Sequence, residues 1–195
     1  MLREPPLLRG PRVVVRLGEP SDVDALIPFF RDNDAFWSRT QNAVRPELMR
    51  EDSLLATLLV RRADYDADRA CQTYAFDRET GEPIALANLS QFVRGYFQAC
   101  YLGYMIAERH QGRGLMHEAV TLLLAFAFGP LELHRVMANH TPDNPRSAAL
   151  LQRLGFRREG YAPRYLRIHD AWCDHVLTAL HAEDFQSTKT PPPQP

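Results

Sequence analysis

The sequence predicts a single mixed α+β domain, one sheet with helices on its faces. Three observations predict it. Apolar residues make up 45% of the 195 and charged residues 24%, proportions of an ordinary globular chain whose length suits one domain with a sizeable core. Strand-like and helix-like runs interleave, but without the regular alternation of a doubly wound sheet. No internal repeat is visible along the chain.

Taken in order, residues 1–11 form a Pro-containing lead, and the β-branched run Arg12 to Leu17 reads as the first strand. Glu19-Pro20-Ser21-Asp22 supplies a cap and first-turn carboxylates for a helix with Val23, Leu26, Ile27 and Phe30 on its apolar face. A second helix is expected to begin near Pro46-Glu47. Its Leu48, Leu55, Leu58 and Leu59 fit a 3.6-residue repeat, and it ends in the charged stretch Arg61 to Arg69. Strands are expected at Cys71 to Asp77 and Ile84 to Phe92, joined by a turn holding Gly81 and Pro83. Another extended segment runs from Gln98 to Ile106. Arg113 to Phe128 is apolar almost all round, as in a helix buried against a sheet, and Gly129-Pro130 stops it. His134 to Asn139 reads as a strand, Asn144 to Leu154 as a short helix closed by Gly155, and Phe156 to Tyr161 as a strand. Trp172 to His181 is the last one. The domain is thus expected over residues 12–184. The tail 185–195, with four prolines in its last five residues, is expected to be disordered.

Charge and composition exclude several function classes. Lys and Arg number 23 against 24 Asp and Glu, a net charge of −1, which argues against binding nucleic acid through overall positive charge. No sequence-specific nucleic-acid binding is expected. Cys71, Cys100 and Cys173 form no CxxC pair, and the seven histidines form no HExxH cluster. No metal is therefore expected, and the thiols read as the reduced cysteines of a cytoplasmic protein. No signal peptide is visible, and the apolar stretch from Leu115 to Phe128 is too short and too polar to span a membrane. Cys100, in an apolar strand without an adjacent histidine, reads as a buried structural thiol. His134 and His175 fall in strand contexts and read as core or interface histidines.

The segment Ala107-Glu108-Arg109-His110-Gln111-Gly112-Arg113-Gly114-Leu115-Met116 carries the most chemistry. A strand ends, two glycines follow, and a buried helix starts at once. The first-turn amides of a helix lack intrahelical partners, and with the helix dipole they favour a phosphate or pyrophosphate there. A Rossmann fingerprint would need a third glycine where His117 stands, and a Walker loop would need Gly-Lys-Ser/Thr. On the residues alone, an anion cradle and a plain helix start both remain open.

Arg109-x-x-Gly112-x-Gly114 resembles the Q/R-x-x-G-x-G/A loop of the GCN5-related N-acetyltransferase superfamily. Asn139-x-x-Pro142-x-Asn144-x-x-Ser147, leading into Leu151-Gln152-Arg153-Leu154-Gly155-Phe156, is similar to the cofactor-side helix and following strand of the same superfamily. Within it, the likeness is to the RimJ type, the ribosomal-protein alanine N-terminal acetyltransferases. It is carried by Val93-Arg94-Gly95, Ala99 to Tyr104, His134 to Asn139, Glu159 to Ala162 and Trp172 to Leu177, and covers about Arg12 to Asp184.

The resemblance implies a mostly antiparallel mixed sheet, splayed between the strand ending at Ile106 and the strand His134 to Asn139. Acetyl-CoA would be the co-substrate, without a metal. Met105 and Ile106 would meet the pantetheine arm through their backbones. Gln111, Gly112, Arg113, Gly114, Leu115 and Met116 would hold the pyrophosphate, and Asn144 would touch the cofactor by its side chain. Transfer would be direct, with Ser147 or Tyr161 as the acid that protonates the departing thiolate. Arg164 stands where some relatives carry a glutamate base, so no base is assigned. The implied acceptor is the N-terminal alanine of the fifth small-subunit ribosomal protein, with the ribosome or its assembly intermediates as the setting. A small amine or antibiotic, and a non-catalytic acyl-CoA-binding module of ribosome assembly, are the alternatives. Phe36 and Trp37 fall where relatives shape the acceptor entrance. The basic cluster Arg153, Arg157, Arg158, Arg164 and Arg167 suits the CoA 3′-phosphate, RNA, or only a solvated hairpin.

Overall fold

Eight strands form one sheet: β1 (Leu7–Arg9), β2 (Val13–Leu17), β3 (Cys71–Asp77), β4 (Pro83–Val93), β5 (Ala99–Ile106), β6 (Arg135–Met137), β7 (Arg157–Ile168) and β8 (Ala171–His181). The helices are α1 (Val23–Trp37), α2 (Glu51–Asp66), α3 (Leu115–Phe128), α4 (Pro145–Arg153) and α5 (Ala182–Ser187). This computed structural model describes residues 4–39, 46–168 and 170–187. The strands lie in the order β1-β2-β3-β4-β5-β6-β8-β7.

Every neighbouring pair is antiparallel except β5 and β6, which are parallel because α3 crosses over between them. That parallel contact joins only Ala99–Tyr101 to Arg135–Met137. Past Tyr101, β5 runs on to Ile106 with β4 on one side and no β6 on the other, so the sheet opens into a gap.

The period-2 alternation of the central strands feeds two cores. On one face, Cys71, Ala75, Leu89, Cys100 and Leu102 pack against Leu115, Val120, Leu123 and Leu124 of α3 and Leu150 and Leu151 of α4. On the other, Tyr74, Phe76 and Leu86 meet Leu26, Phe30 and Trp37 of α1 and Leu54 and Leu58 of α2. The all-round apolar character of α3 follows from this position under the sheet, where Ala119, Val120, Leu123 and Leu124 are fully buried.

Three elements depart from the sequence expectation. The lead contributes a strand, since β1 pairs Leu7–Arg9 with Val14–Arg16. The expected tail boundary is corrected at the other end: α5 carries Phe185, only 6% exposed, with its ring 5.4 Å from that of Phe128. One apolar residue in a polar stretch gives no periodic signal, yet it caps the α3 core. Residues 188–195 of that tail lie outside the described residues, as do residues 40–45 ahead of α2. Finally, β7 does not stop at Tyr161 but continues to Ile168 along β8. Its side chains are mostly exposed or half-buried, so the alternation that marks a one-sided strand is missing. Among the described residues, no helix is long and apolar enough to cross a membrane.

Candidate active site

The gap beside β5 is where the sequence-predicted residues converge. The register of β4 and β5 decides which backbone groups face it. Ala107 N–H donates to Ile84 O at 2.9 Å, so Ile84 and Ala107 form a hydrogen-bonded pair. Alternation then makes Leu86/Met105 hydrogen-bonded and Ala85/Ile106 not. The expectation that Met105 offers backbone groups to a ligand is therefore corrected: those groups face β4. Tyr104 and Ile106 face the gap instead. The Ile106 carbonyl accepts the indole N–H of Trp37 at 3.0 Å, which fixes the strand end. Trp37 itself is 2% exposed, so it supports the site from beneath rather than lining its entrance.

From Ile106 the chain makes a short turn at Glu108–His110 and enters the glycine loop. Gly112 has φ +70° and Gly114 φ +76°. At Gly112 a Cβ would meet nothing within 4 Å, and at Gly114 it would meet only the Arg12 guanidinium at 3.5 Å. Left-handed backbone, rather than crowding, is what selects glycine at both positions. Gly114 is the N-cap of α3 and supplies no side-chain cap. The amides of Leu115 and Met116 therefore remain available to an anion, although both side chains are buried in the core.

The loop is held from below by an ion pair that sequence reading missed. Glu118 accepts the Arg12 and Val13 amides at 2.7 and 3.1 Å and the Arg12 Nε–H at 2.8 Å. Arg12 Nη1 then donates to the Arg113 carbonyl at 2.9 Å. Burial pushes the Glu118 carboxyl up, but these hydrogen bonds outweigh it and leave the group below its ordinary range. Above them, Arg109 Nε donates to His110 Nε2 at 3.0 Å, and Arg113 Nη1 lies 3.3 Å from His110 Nδ1. Burial, then the charges of Arg109 and Arg113, hold His110 below its ordinary value and keep the ring neutral between two cations. Gln111 turns its side chain to α4, accepting from Arg146 at 2.6 Å.

Helix α4 borders the gap opposite β5. Asn144 caps it, its Oδ1 accepting the Ser147 N–H at 3.0 Å, and its Nδ2 remains as a donor for a ligand. Ser147 Oγ lies 2.7 Å from the hydroxyl of Tyr104 on β5. A second link crosses the opening. Asn139 takes the Thr178 N–H on Oδ1 and donates to Tyr165 OH at 3.2 Å. The Tyr165 hydroxyl stands 3.4 Å from that of Tyr101. Asn139 was legible in the Asn-x-x-Pro motif, whereas the three tyrosines carry no spacing that separates them from packing residues.

Tyr161 is not brought to Ser147. It sits on β7, the outer strand, with β8 between it and β6. It is 47% exposed, and its hydroxyl donates to Asp174 at 2.6 Å. That hydrogen bond to a carboxylate raises its pKa, making it a weaker acid. Of the two alternative acids, Ser147 lies at the gap against Tyr104, whereas Tyr161 is engaged by Asp174 on the outer strands. Arg164, at φ +51°, donates its N–H to the same Asp174 at 2.7 Å. Cys100 is fully buried and its thiol is pushed up to about 12 by burial, as befits a structural residue. Of the basic cluster, Arg157 pairs with Asp184 and Arg167 with Asp170.

The arrangement is a strand opening with an anion-ready helix end at one side and a hydroxyl on the other. A family model described as an acetyltransferase (GNAT) domain matches residues 12–157. The [ribosomal protein uS5]-alanine N-acetyltransferase of Escherichia coli K12 is 40% identical over 174 residues, covering 89% of this chain and 90% of its own. A probable N-acetyltransferase of Bacillus subtilis, YjcK, is 28% identical over 92% of this chain and 100% of its own. Among solved structures, a ribosomal-protein-S5-alanine acetyltransferase from Vibrio fischeri matches with TM-score 0.86 and 28% identity over 92% of this chain and 98% of its own. RimJ of Mycobacterium smegmatis, solved with CoA-disulfide, shares the fold at TM-score 0.81 and 22% identity, over 95% and 94% of the two chains.

Proposed function

We propose that this chain, which belongs to the GNAT acetyltransferase family, acetylates the N-terminal alanine of ribosomal protein uS5, with acetyl-CoA as the donor. The observation that carries the acceptor is the 40% identity to a uS5-alanine N-acetyltransferase over nearly the full length of both chains. The chemistry fits the residues present. Bare amides at the start of α3, flanked by Arg109 and Arg113, suit a pyrophosphate, and the gap beside β5 suits an extended arm.

Acetyl-CoA supplies an activated acyl thioester. Gly112 to Met116 hold its pyrophosphate by backbone N–H groups, and the Asn144 amide donates to the arm. The Ile106 N–H, directed into the gap, stabilises the negative charge that develops on the thioester oxygen. Ser147 donates a proton to the departing thiolate. A protein α-amine has a pKa of about 7.7–8.0 against about 10.4 for a lysine side chain. With Arg164 in the place of a carboxylate base, a neutral fraction of α-amine attacks without one and gives its proton to water. This favours an N-terminus over a lysine as acceptor.

The test is acetyl transfer to a peptide panel read by mass: the uS5 N-terminus beginning with alanine, the same peptide with an altered first residue, a blocked peptide offering only lysine, and small amines. Preferred modification of the alanine peptide is expected. Transfer confined to small amines would reject the acceptor, and no transfer at all would reject the enzyme reading.

A further inference from the structure

The hydroxyls of Tyr104 and Ser147 face each other across the gap, 2.7 Å apart, one on β5 and the other in the first turn of α4. Each is fixed independently. Asn144 holds the Ser147 backbone through the α4 cap, and Tyr104 packs its ring on the core beneath β5. We propose that Tyr104 is a positioning residue for acetyl transfer, donating its hydroxyl proton to Ser147 Oγ so that the Ser147 proton is turned toward the departing sulfur. This rests on the reading of Ser147 as the acid.

The direction of the hydrogen bond follows from surroundings. The Tyr104 ring is half-buried against the core, and its O–H needs an acceptor because an unpartnered polar hydrogen carries a penalty. Ser147 Oγ is the acceptor the structure supplies. Burial pushes the Tyr104 phenol up to about 12 despite its contact with Ser147, so it keeps its proton throughout the working range. Ser147, with one lone pair engaged by Tyr104, has its single proton left for the gap. When the C–S bond breaks, the thiolate takes that proton. The Tyr104 O–H stabilises the charge left on Oγ, which is neutralised by the proton that the attacking nitrogen sheds to water on becoming an amide.

Tyr104→Phe keeps the ring and removes only the hydroxyl. Steady-state kinetics with acetyl-CoA and the alanine peptide should show kcat lowered about tenfold or more, as for loss of an acid–base contribution. The KM for acetyl-CoA should stay within about twofold and the thermal midpoint should hold. In a Ser147→Ala background, whose helix cap is intact, the same change should have no further effect on kcat, because the two hydroxyls act as a unit. Normal kcat in Tyr104→Phe beside a slow Ser147→Ala enzyme would overturn the role of Tyr104 and leave the acid in place. Losses that multiply would make the two residues independent and overturn it as well. A raised KM at unchanged kcat would make Tyr104 a binding residue and do the same. A fully active Ser147→Ala enzyme would remove the acid, and the proposal with it.

Discussion

Trp37 and Ile106 are joined by a hydrogen bond from indole N–H to carbonyl of 3.0 Å, between residues 69 apart in sequence. The ring is also packed edge-on to Phe29 and Phe30, with centroids 5.2 and 6.4 Å away. One side chain thus anchors α1 to the strand end from which the glycine loop departs. Trp37→Phe should lower the unfolding free energy by about 1–3 kcal/mol for a lost hydrogen bond and a partial cavity, read as a lower urea midpoint at unchanged slope. The KM for acetyl-CoA should rise with it, since the loop springs from Ile106.

Glycine substitutions separate conformation from space. A methyl group added at Gly112 would have no atom within 4 Å of it, but φ there is +70°. Gly112→Asn should therefore retain more acetyl-CoA affinity than Gly112→Val, because asparagine tolerates left-handed backbone and β-branched residues do not. The difference should be about tenfold in Kd, the equivalent of roughly 1–2 kcal/mol of backbone strain. Equal affinities, measured by calorimetry, would mean that steric access governs the site.

Arg12 supports the loop without facing the gap. Arg12→Met removes the contacts to Arg113 O and Glu118 and should raise the KM for acetyl-CoA several-fold with kcat nearly unchanged. Arg12→Lys should recover little, since a lysine ammonium cannot reproduce the forked geometry. Steady-state kinetics at varied acetyl-CoA decides this.

His110 sets a pH dependence of known sign. Its pKa is lowered in the folded chain, chiefly by burial and then by Arg109 and Arg113. The unfolded chain therefore binds more protons between that lowered value and the unfolded value near about 6.5. The stability this group contributes is complete above the unfolded value and is lost as the pH falls toward the folded one. Urea midpoints taken at about pH 7.5 and about pH 5.5 should differ less in His110→Gln than in the parent chain. An unchanged difference would show that other groups govern this range.

Phe185 lies against Phe128 at the end of the described chain. Phe185→Ala should destabilise by about 3 kcal/mol, the usual range for a phenylalanine removed from a core. Denaturant unfolding measures it directly.

Strand β2 was legible because Val13, Val15 and Leu17 carry the period of one buried face, and α3 and β3 because they are apolar on nearly all sides. The glycine loop was legible because left-handed backbone at 112 and 114 restricts residue type. Tyr104 and Ser147 were a different case. They are 43 residues apart, and nothing local in either segment shows that the sheet opens between them. The Met105 assignment failed for a related reason: which backbone groups face the gap depends on the pairing parity of β4 and β5, which the side-chain pattern does not record. Tyr161 and Tyr165 lie on the same strand, and nothing in their spacing shows that Tyr165 meets Tyr101 whereas Tyr161 meets Asp174.

The parallel contact of β5 with β6 amounts to three residue pairs. Among the described residues it is the one parallel seam of the sheet, joining β1 to β5 with β6 to β8, and is much shorter than the β3/β4, β4/β5 and β7/β8 ladders. Helix α3 spans that seam, packing on β2, β4 and β6, and its first turn is the anion-ready end. A molecule gripped by that turn therefore also grips the brace across the seam. Occupancy of the site and stability of the whole fold are one equilibrium seen from two ends: each rise in donor concentration above its Kd adds stability logarithmically.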